Sequence, residues 1–237
     1  MASAGRPAPA FHSKSDIAYA EVRHRILTGE LRPDGVISQA KLANELNLST
    51  TPLREALRRL AAEGLVVLGS HRDARVVPVT SEGARSFYEV RSALDPRACA
   101  LAAERRTEAD IEAIDAALAE LEPLTGLGSQ SALDAHRRFH RSIYDASRNP
   151  VLTDFLESLW DRTDLYRLET LRSWTPDADE RARVHSEHVG LRDAVVSGDA
   201  KAAEARASEH ITGSLGRRAI GVLADDSSVQ AGVNEQP

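Results

Sequence analysis

Apolar residues recur at steps of three and four along nearly all of this chain, and the pattern breaks once, between Gly64 and Pro78. That period puts side chains on one face of an α-helix. The chain is therefore expected to be mainly α, with one small β element. Tyr19, Val22 and Ile26 line a first helix that begins near Ser15–Asp16 and ends at Gly29. A short helix from about Ser38 to Leu46 buries Leu42, Ala43 and Leu46, and Asn47-Leu48-Ser49 is a tight turn. A third helix, reaching Glu63, buries Leu53, Ala56, Leu57 and Leu60. Thr51 is expected to cap it, with Pro52 tolerated in the first turn, and Gly64 suits the end. Leu65-Val66-Val67-Leu68 and Ala74-Arg75-Val76-Val77-Pro78 then flank a polar turn and read as a β-hairpin.

From Ser81 the helical period resumes. Helices are expected near 81–105, 107–122, 129–147, 151–172, 177–197 and 199–219, punctuated by Thr107, the segment Pro123 to Gly128, Asn149-Pro150, Thr175-Pro176 and Gly198-Asp199. Short connections make this an antiparallel bundle. The expected divisions are a disordered tail over 1–13, a compact unit over 14–79, an all-helical unit over 80–220 and a disordered tail over 221–237. With 237 residues the chain can bury a core unaided, and Cys99, its only cysteine, excludes a disulfide framework or a cysteine zinc finger. No apolar run approaches a membrane span and the first ten residues carry no signal-peptide core, so a cytoplasmic protein without membrane attachment is expected.

The net charge of −6 argues against a nucleic-acid binder, yet it is unevenly spread: residues 1–79 carry +3 and residues 80–237 carry −9. Within the positive part, Gln39 to Leu60 reads as helix, tight turn, helix. A helix that enters the major groove must be apolar behind and polar or basic in front. Behind lie Leu53, Leu57 and Leu60; in front lie Arg54 and Arg58, with Thr50 and Thr51 at the leading end. Arg reads guanine edges, and Thr binds phosphates. Lys41 on the preceding helix, and His71, Arg72 and Arg75 on the hairpin, extend the basic surface, making a winged helix-turn-helix. Taken singly, Arg54, Arg58 and Arg59 read first as a solvated helix face; the combination points to double-stranded DNA.

The bundle holds five of the eight histidines. His136 and His140 share a face at i,i+4. His188 precedes Gly198 by ten residues and His210 follows it by twelve, so an antiparallel turn at Gly198 sets them at nearly one height, about 3 Å apart along the axis. Four imidazoles could converge and hold a divalent transition metal. They could equally be four unrelated surface or hydrogen-bonded histidines. His185, three residues before His188, could be an alternative ligand or a supporting group.

Thr51-Pro52-Leu53-Arg54-Glu55-Ala56-Leu57-Arg58-Arg59-Leu60, then Glu63-Gly64-Leu65-Val66, resembles the recognition-helix signature of the GntR family of bacterial transcription regulators, "SRTPVREALRRL" followed by "EGLV". His71-Arg72-Asp73-Ala74-Arg75-Val76 is similar to the family's "NRGARV". Arg54 matches its DNA-contacting Arg. Thr50 stands where the family usually has Arg, Ala40 where a basic residue often opens the second helix, and Asp73 where the wing has Gly. Phe139-His140, Ala146, Asn149-Pro150, Glu187-His188, Gly198-Asp199 and Glu209-His210 resemble the FadR-type, FCD ligand-binding domain. Many such domains hold a metal on one Asp and three His, and His136 occupies the Asp position. Asp134 lies about 240° round the helix from His140 and cannot easily substitute. The resemblance thus implies a four-His site, His136, His140, His188 and His210, with zinc or nickel as the expected ion. It also implies a small organic acid effector with Arg91 as its guanidinium, from the similarity of Val90-Arg91-Ser92-Ala93-Leu94-Asp95 to the family's "LRxxLE". A surface pair of Arg91 with Asp95 is the plainer reading. The whole implies a homodimeric repressor, not an enzyme. A helical metalloenzyme is the rival, although the bundle lacks His-Glu-x-x-His and paired Glu-x-x-His motifs; a metal-free dimeric DNA-binding protein is the other.

Overall fold

The computed structural model describes residues 13–69, 73–121, 130–214 and 217–224. The chain splits into two compact units between Val77 and Pro78. The first contains α1 (Lys14–Leu27), β1 (Val36–Ser38), α2 (Gln39–Glu45), α3 (Thr50–Ala62), β2 (Val66–Leu68) and β3 (Asp73–Val76). α1 starts with a capping box, in which the Ser13 hydroxyl accepts from the Asp16 amide and the Asp16 carboxylate accepts from Ser13. Its buried residues Val22 and Ile26 meet the α3 stripe of Leu53, Leu57 and Leu60, all fully enclosed. Tyr19 donates to Glu63 at 2.8 Å, and Arg59 pairs with Asp16 at 2.7 Å while lying over the Tyr19 ring, so the start of α1 is clamped to the end of α3. Asn47, in the left-handed region at φ 54°, makes the tight turn between α2 and α3.

Three local expectations are corrected. The β element has three strands, in the order β1-β3-β2, all antiparallel, with Val36 opposite Arg75 and Val67 opposite the other side of Arg75. β1 spans only three residues, too few for a two-residue period to register. The residue capping α3 is Ser49 rather than Thr51, and its side chain makes no capping bond. Leu46 is only half-buried.

The α3 stripe is a fully enclosed part of this small core. Leu57→Ala is expected to cost about 3 kcal/mol, within the usual range for a buried Leu. Urea unfolding checks this; a cost below about 1 kcal/mol would mean that the stripe is not the core.

The second unit contains α4 (Ser81–Arg105), α5 (Glu108–Ala119), α6 (Gln130–Ala146), α7 (Pro150–Ser158), α8 (Trp160–Ser173), α9 (Ala178–Ser197) and α10 (Ala200–Gly213). α10 packs on α4 and α9, and α5 on α6. Cys99, Phe139, Ile143, Leu191, Val195 and Ala207 share one apolar cluster. The α9–α10 hairpin turns at Gly198, φ 79°, where a Cβ would lie 2.6 Å from the Arg106 guanidinium. Arg106 in turn donates to the Val196 carbonyl. The positive φ requires glycine; the Arg106 guanidinium is the end of a flexible side chain and could move aside.

Two helix expectations change. The segment expected as one helix over 151–172 is two, because the Leu159 amide turns to the Leu156 carbonyl and ends α7. No Gly or Pro marks that break. The last expected helix stops at Gly213, Ser214 is extended, and residues 217–224 form a further helical segment. Gly221 to Ala224 therefore belong to the fold rather than to a tail. Ala219 is buried near Phe87, Tyr88 and Tyr166, and the Ser81 hydroxyl donates to the Ile220 carbonyl. Residues 1–12, the segment Pro123 to Gly128 and residues 225–237 lie outside the described residues. No helix among the described residues is long and apolar enough to cross a membrane.

Candidate DNA-reading face and candidate metal centre

On the first unit, Thr50, Thr51, Arg54 and Arg58 are all exposed on the face of α3 opposite its leucines. The amphipathic sequence dictates this: burying one side leaves the other to solvent. Arg54 Nε donates to Gln39 Oε1 at 3.0 Å, and Gln39 is itself buried at the start of α2. This ties α2 to the front of α3 and leaves the other guanidinium edge outward. Gln39 was not expected to matter, because a Gln opening a short helix carries no periodic signal. Lys41 is highly exposed beside Glu45. Arg75 is exposed but turns to Asp34, donating to its carbonyl and pairing with its carboxylate at 3.3 Å. His71 and Arg72 lie outside the described residues. Arg59 belongs to the α1 clamp, not to the reading face.

In the second unit, His136 and His140 of α6, His188 of α9 and His210 of α10 converge. Each offers one nitrogen within 4.8 Å of the others, and all four are buried. The i,i+4 pair lies with ring centroids 4.6 Å apart, and the hairpin pair 4.5 Å apart. The Gly198 turn brings the second pair together, as the residue offsets require. His188 Nδ1 donates to the Val184 carbonyl at 2.7 Å, one helical turn back, so its Nε2 points inward as an acceptor. Glu187 Oε2 accepts from His210 Nδ1 at 3.1 Å, which likewise turns His210 Nε2 inward. These are the outer partners that fix ring orientation at metal sites. His136 Nε2 approaches His188 Nε2 at 3.1 Å. Two buried nitrogens, His136 Nδ1 and His140 Nε2, have no hydrogen-bond partner. Buried polar atoms are rarely orphaned without a functional reason, and lone pairs gathered in one place suit a cation. The donor set therefore fits a divalent transition metal.

Burial, followed by the positive charge of Arg167, pushes His136 well below the ordinary histidine range. Burial does the same to His140 and His188, and takes His210 down to about 3. All four imidazoles are thus neutral at pH 7, the form that ligates metals. Burial also raises Glu187 above the usual carboxylate value.

His185 is exposed and lies at the wall of an adjoining cavity, outside the four-nitrogen group. Asp134 is exposed. Arg91 is buried, and so is its partner: Nε and Nη2 grip Asp95 at 2.9 and 3.1 Å and Nη1 donates to Thr163. The pairing with Asp95 is as the plainer reading has it, but in the interior rather than on the surface. Tyr144 also donates to Asp95. Burial opposes the Arg91 charge, and Asp95 more than restores it, raising its pKa above the usual arginine value.

The cavity beside the histidines measures about 120 Å³, and its wall includes His136, His188, His210, Arg167, Arg181 and Glu187, but not Arg91. Arg167 was missed from the sequence. The available signal was α8 itself, in which Trp160, Asp164, Arg167 and Leu171 recur at helical steps and all are buried. Charged residues at core positions mark a helix with a role beyond packing.

Residues 14–76 match the gntR family of bacterial regulatory proteins, and residues 86–213 match the FCD domain. The HTH-type transcriptional regulator LutR of Bacillus subtilis is 31% identical over 208 residues, covering 79% of this chain and 93% of that one. The galactonate operon transcriptional repressor of Escherichia coli is 26% identical over 225 residues, covering 86% and 96%. Among solved structures, E. coli McbR/YncC superposes with a TM-score of 0.72 at 23% identity, over 92% of this chain and all of that one. That likeness shows the fold: a helix-turn-helix unit with a three-stranded wing, followed by a helical domain. With the gntR match over its first unit, the FCD match over its second and a relative 31% identical along most of its length, this chain belongs to the GntR family and is a DNA-binding transcription regulator of the FadR type.

Proposed function

We propose that this regulator senses a small carboxylate through a metal-loaded helical domain and changes its grip on an operator in response. The observation that carries this reading is the buried set of four neutral imidazoles, two with orphaned nitrogens, opening on a cavity that also holds a guanidinium. His136, His140, His188 and His210 would hold zinc or nickel. The ion would supply a positive pole for an anionic effector. The E. coli relative is named for the operon of galactonate, a sugar acid, which supports an organic acid as the effector class.

Two copies, related by two-fold symmetry, would set two α3 helices in successive major grooves of a near-palindromic operator. An effector that binds one arrangement of the pair more tightly shifts the population towards it. Ligand-relieved repression fits this scheme, and repressors occur among the relatives.

Arg54, Arg58, Thr50 and Thr51 form the reading face, with Lys41, Arg75, His71 and Arg72 as flanking contacts. Arg54→Ala is expected to weaken operator binding by about 1–3 kcal/mol, roughly 5- to 150-fold, as loss of a bidentate base contact does. Fluorescence anisotropy with the DNA upstream of the gene measures it. Equal affinity of variant and parent would remove Arg54 from the reading face.

A further inference from the structure

We infer that Arg167 of α8, rather than Arg91 of α4, is the guanidinium that binds the effector's carboxylate; this rests on the effector reading above. Arg167 lines the cavity together with His136, His188 and His210, and Arg91 does not. The hydrogen bonding of the two arginines differs in the same sense. Arg91 spends Nε and Nη2 on both oxygens of Asp95 and Nη1 on Thr163. Its fork is closed. Arg167 makes one hydrogen bond among the described residues, from Nη1 to Asp164 Oδ1 at 2.9 Å. Its Nε and Nη2 edge is left for a ligand, in a side chain only 3% exposed.

That edge reaches the cavity rather than being sealed in the core, so a ligand entering there can take both donors. The arginine is also held in place, because its guanidinium lies 4.7 Å from the centre of the Trp160 ring. Electrostatics point the same way. A divalent ion among the imidazoles would add positive charge beside the Arg167 guanidinium on the same cavity wall. Asp164 supplies one compensating carboxylate. An anion lying between Arg167 and the histidines would supply the second, and a carboxylate matches the planar fork with two parallel bonds.

The test uses the full chain loaded with Co²⁺, whose visible absorption reports changes at the four-His centre. Acetate, citrate and D-galactonate are the probes, and calorimetry runs in parallel. The parent is expected to respond to at least one probe. Arg167→Gln, with cobalt stoichiometry unchanged, should need at least about tenfold more of it, the scale of one lost charge-assisted pair. Arg167→Lys keeps the charge but loses the fork, so it should bind about fivefold more weakly even if the Gln variant does not fold. Arg91→Lys should stay within about twofold of the parent, since its fork faces Asp95. Parent-like titration of Arg167→Gln or Arg167→Lys, or the main loss falling on Arg91→Lys, would overturn the assignment while leaving the sensor reading intact. A parent that binds cobalt but responds to none of the three probes contradicts the sensor reading itself.

Discussion

Asp95→Ala destabilises the helical unit by about 3–5 kcal/mol, the usual cost of breaking a buried ion pair from one side. Arg91 and Asp95 are 2% and 3% exposed, and the two-point grip of the guanidinium is reinforced by the Tyr144 hydroxyl on the same carboxylate. Removing the carboxylate strands a guanidinium that cannot shed its proton and cannot reach water. It also leaves Tyr144, whose hydroxyl donates to Asp95, without an acceptor. Because the penalty comes from an uncompensated charge, removing both charges should cost much less. Arg91→Met combined with Asp95→Leu is expected to recover most of the stability. Urea unfolding monitored by circular dichroism gives the three values. A single-variant cost under about 1 kcal/mol, or a double variant no better than the single, contradicts the account of this pair.

His188→Ala is expected to empty the proposed metal centre. The parent, purified without chelator, is expected to carry one zinc or nickel per chain by native mass spectrometry, and the variant essentially none. His188 is central to the group: its Nδ1 is fixed on the Val184 carbonyl and its Nε2 is turned to the other rings. Saturating metal at a hundred times its dissociation constant adds about 2.7 kcal/mol by linkage. For a unit of this size that is a rise of about 5–10 °C in Tm. Chelator should remove this rise from the parent and leave the variant unchanged. His185→Ala is the control, since His185 is exposed and outside the group, and it should keep both the ion and the thermal shift. Metal retained by His188→Ala, or no thermal response of the parent to chelator, contradicts the four-His centre.

The parts of this molecule that could be read from sequence are those with a long period behind them. The α3 stripe of Leu53, Leu57 and Leu60 fixes which face is buried and therefore that Arg54 and Arg58 face out. The two histidine pairings were legible for the same reason, while their meeting at one centre was implied by the family resemblance. An i,i+4 pair and a hairpin offset around Gly198 are both arithmetic on helix geometry. Three residues of β1 are too short to show a period, and the α7–α8 break at Leu159 depends on a backbone bond with no Gly or Pro to announce it. Arg91 shows a different limit. Its i,i+4 pairing with Asp95 was visible, but whether such a pair lies at a surface, in a ligand site or in a core is decided by the helices packed over it, here through Thr163 of α8 and Tyr144 of α6. Arg167 and Glu187 were hidden because only tertiary packing places one on the cavity wall and the other behind His210.

The central claim joins the two units, so the most direct test measures both in one titration. Binding of the full-length, zinc-loaded protein to a labelled fragment of its own upstream DNA is followed by anisotropy, with unrelated DNA as competitor, over a range of salt. The account predicts sequence-preferring binding that weakens steeply as salt rises, because phosphate contacts release counterions. It further predicts that a carboxylate which raises the Tm of the zinc-loaded protein shifts the operator affinity, and that chelator abolishes the shift. Binding that is indifferent to sequence, or an operator affinity unchanged by every carboxylate that binds the helical domain, would contradict it.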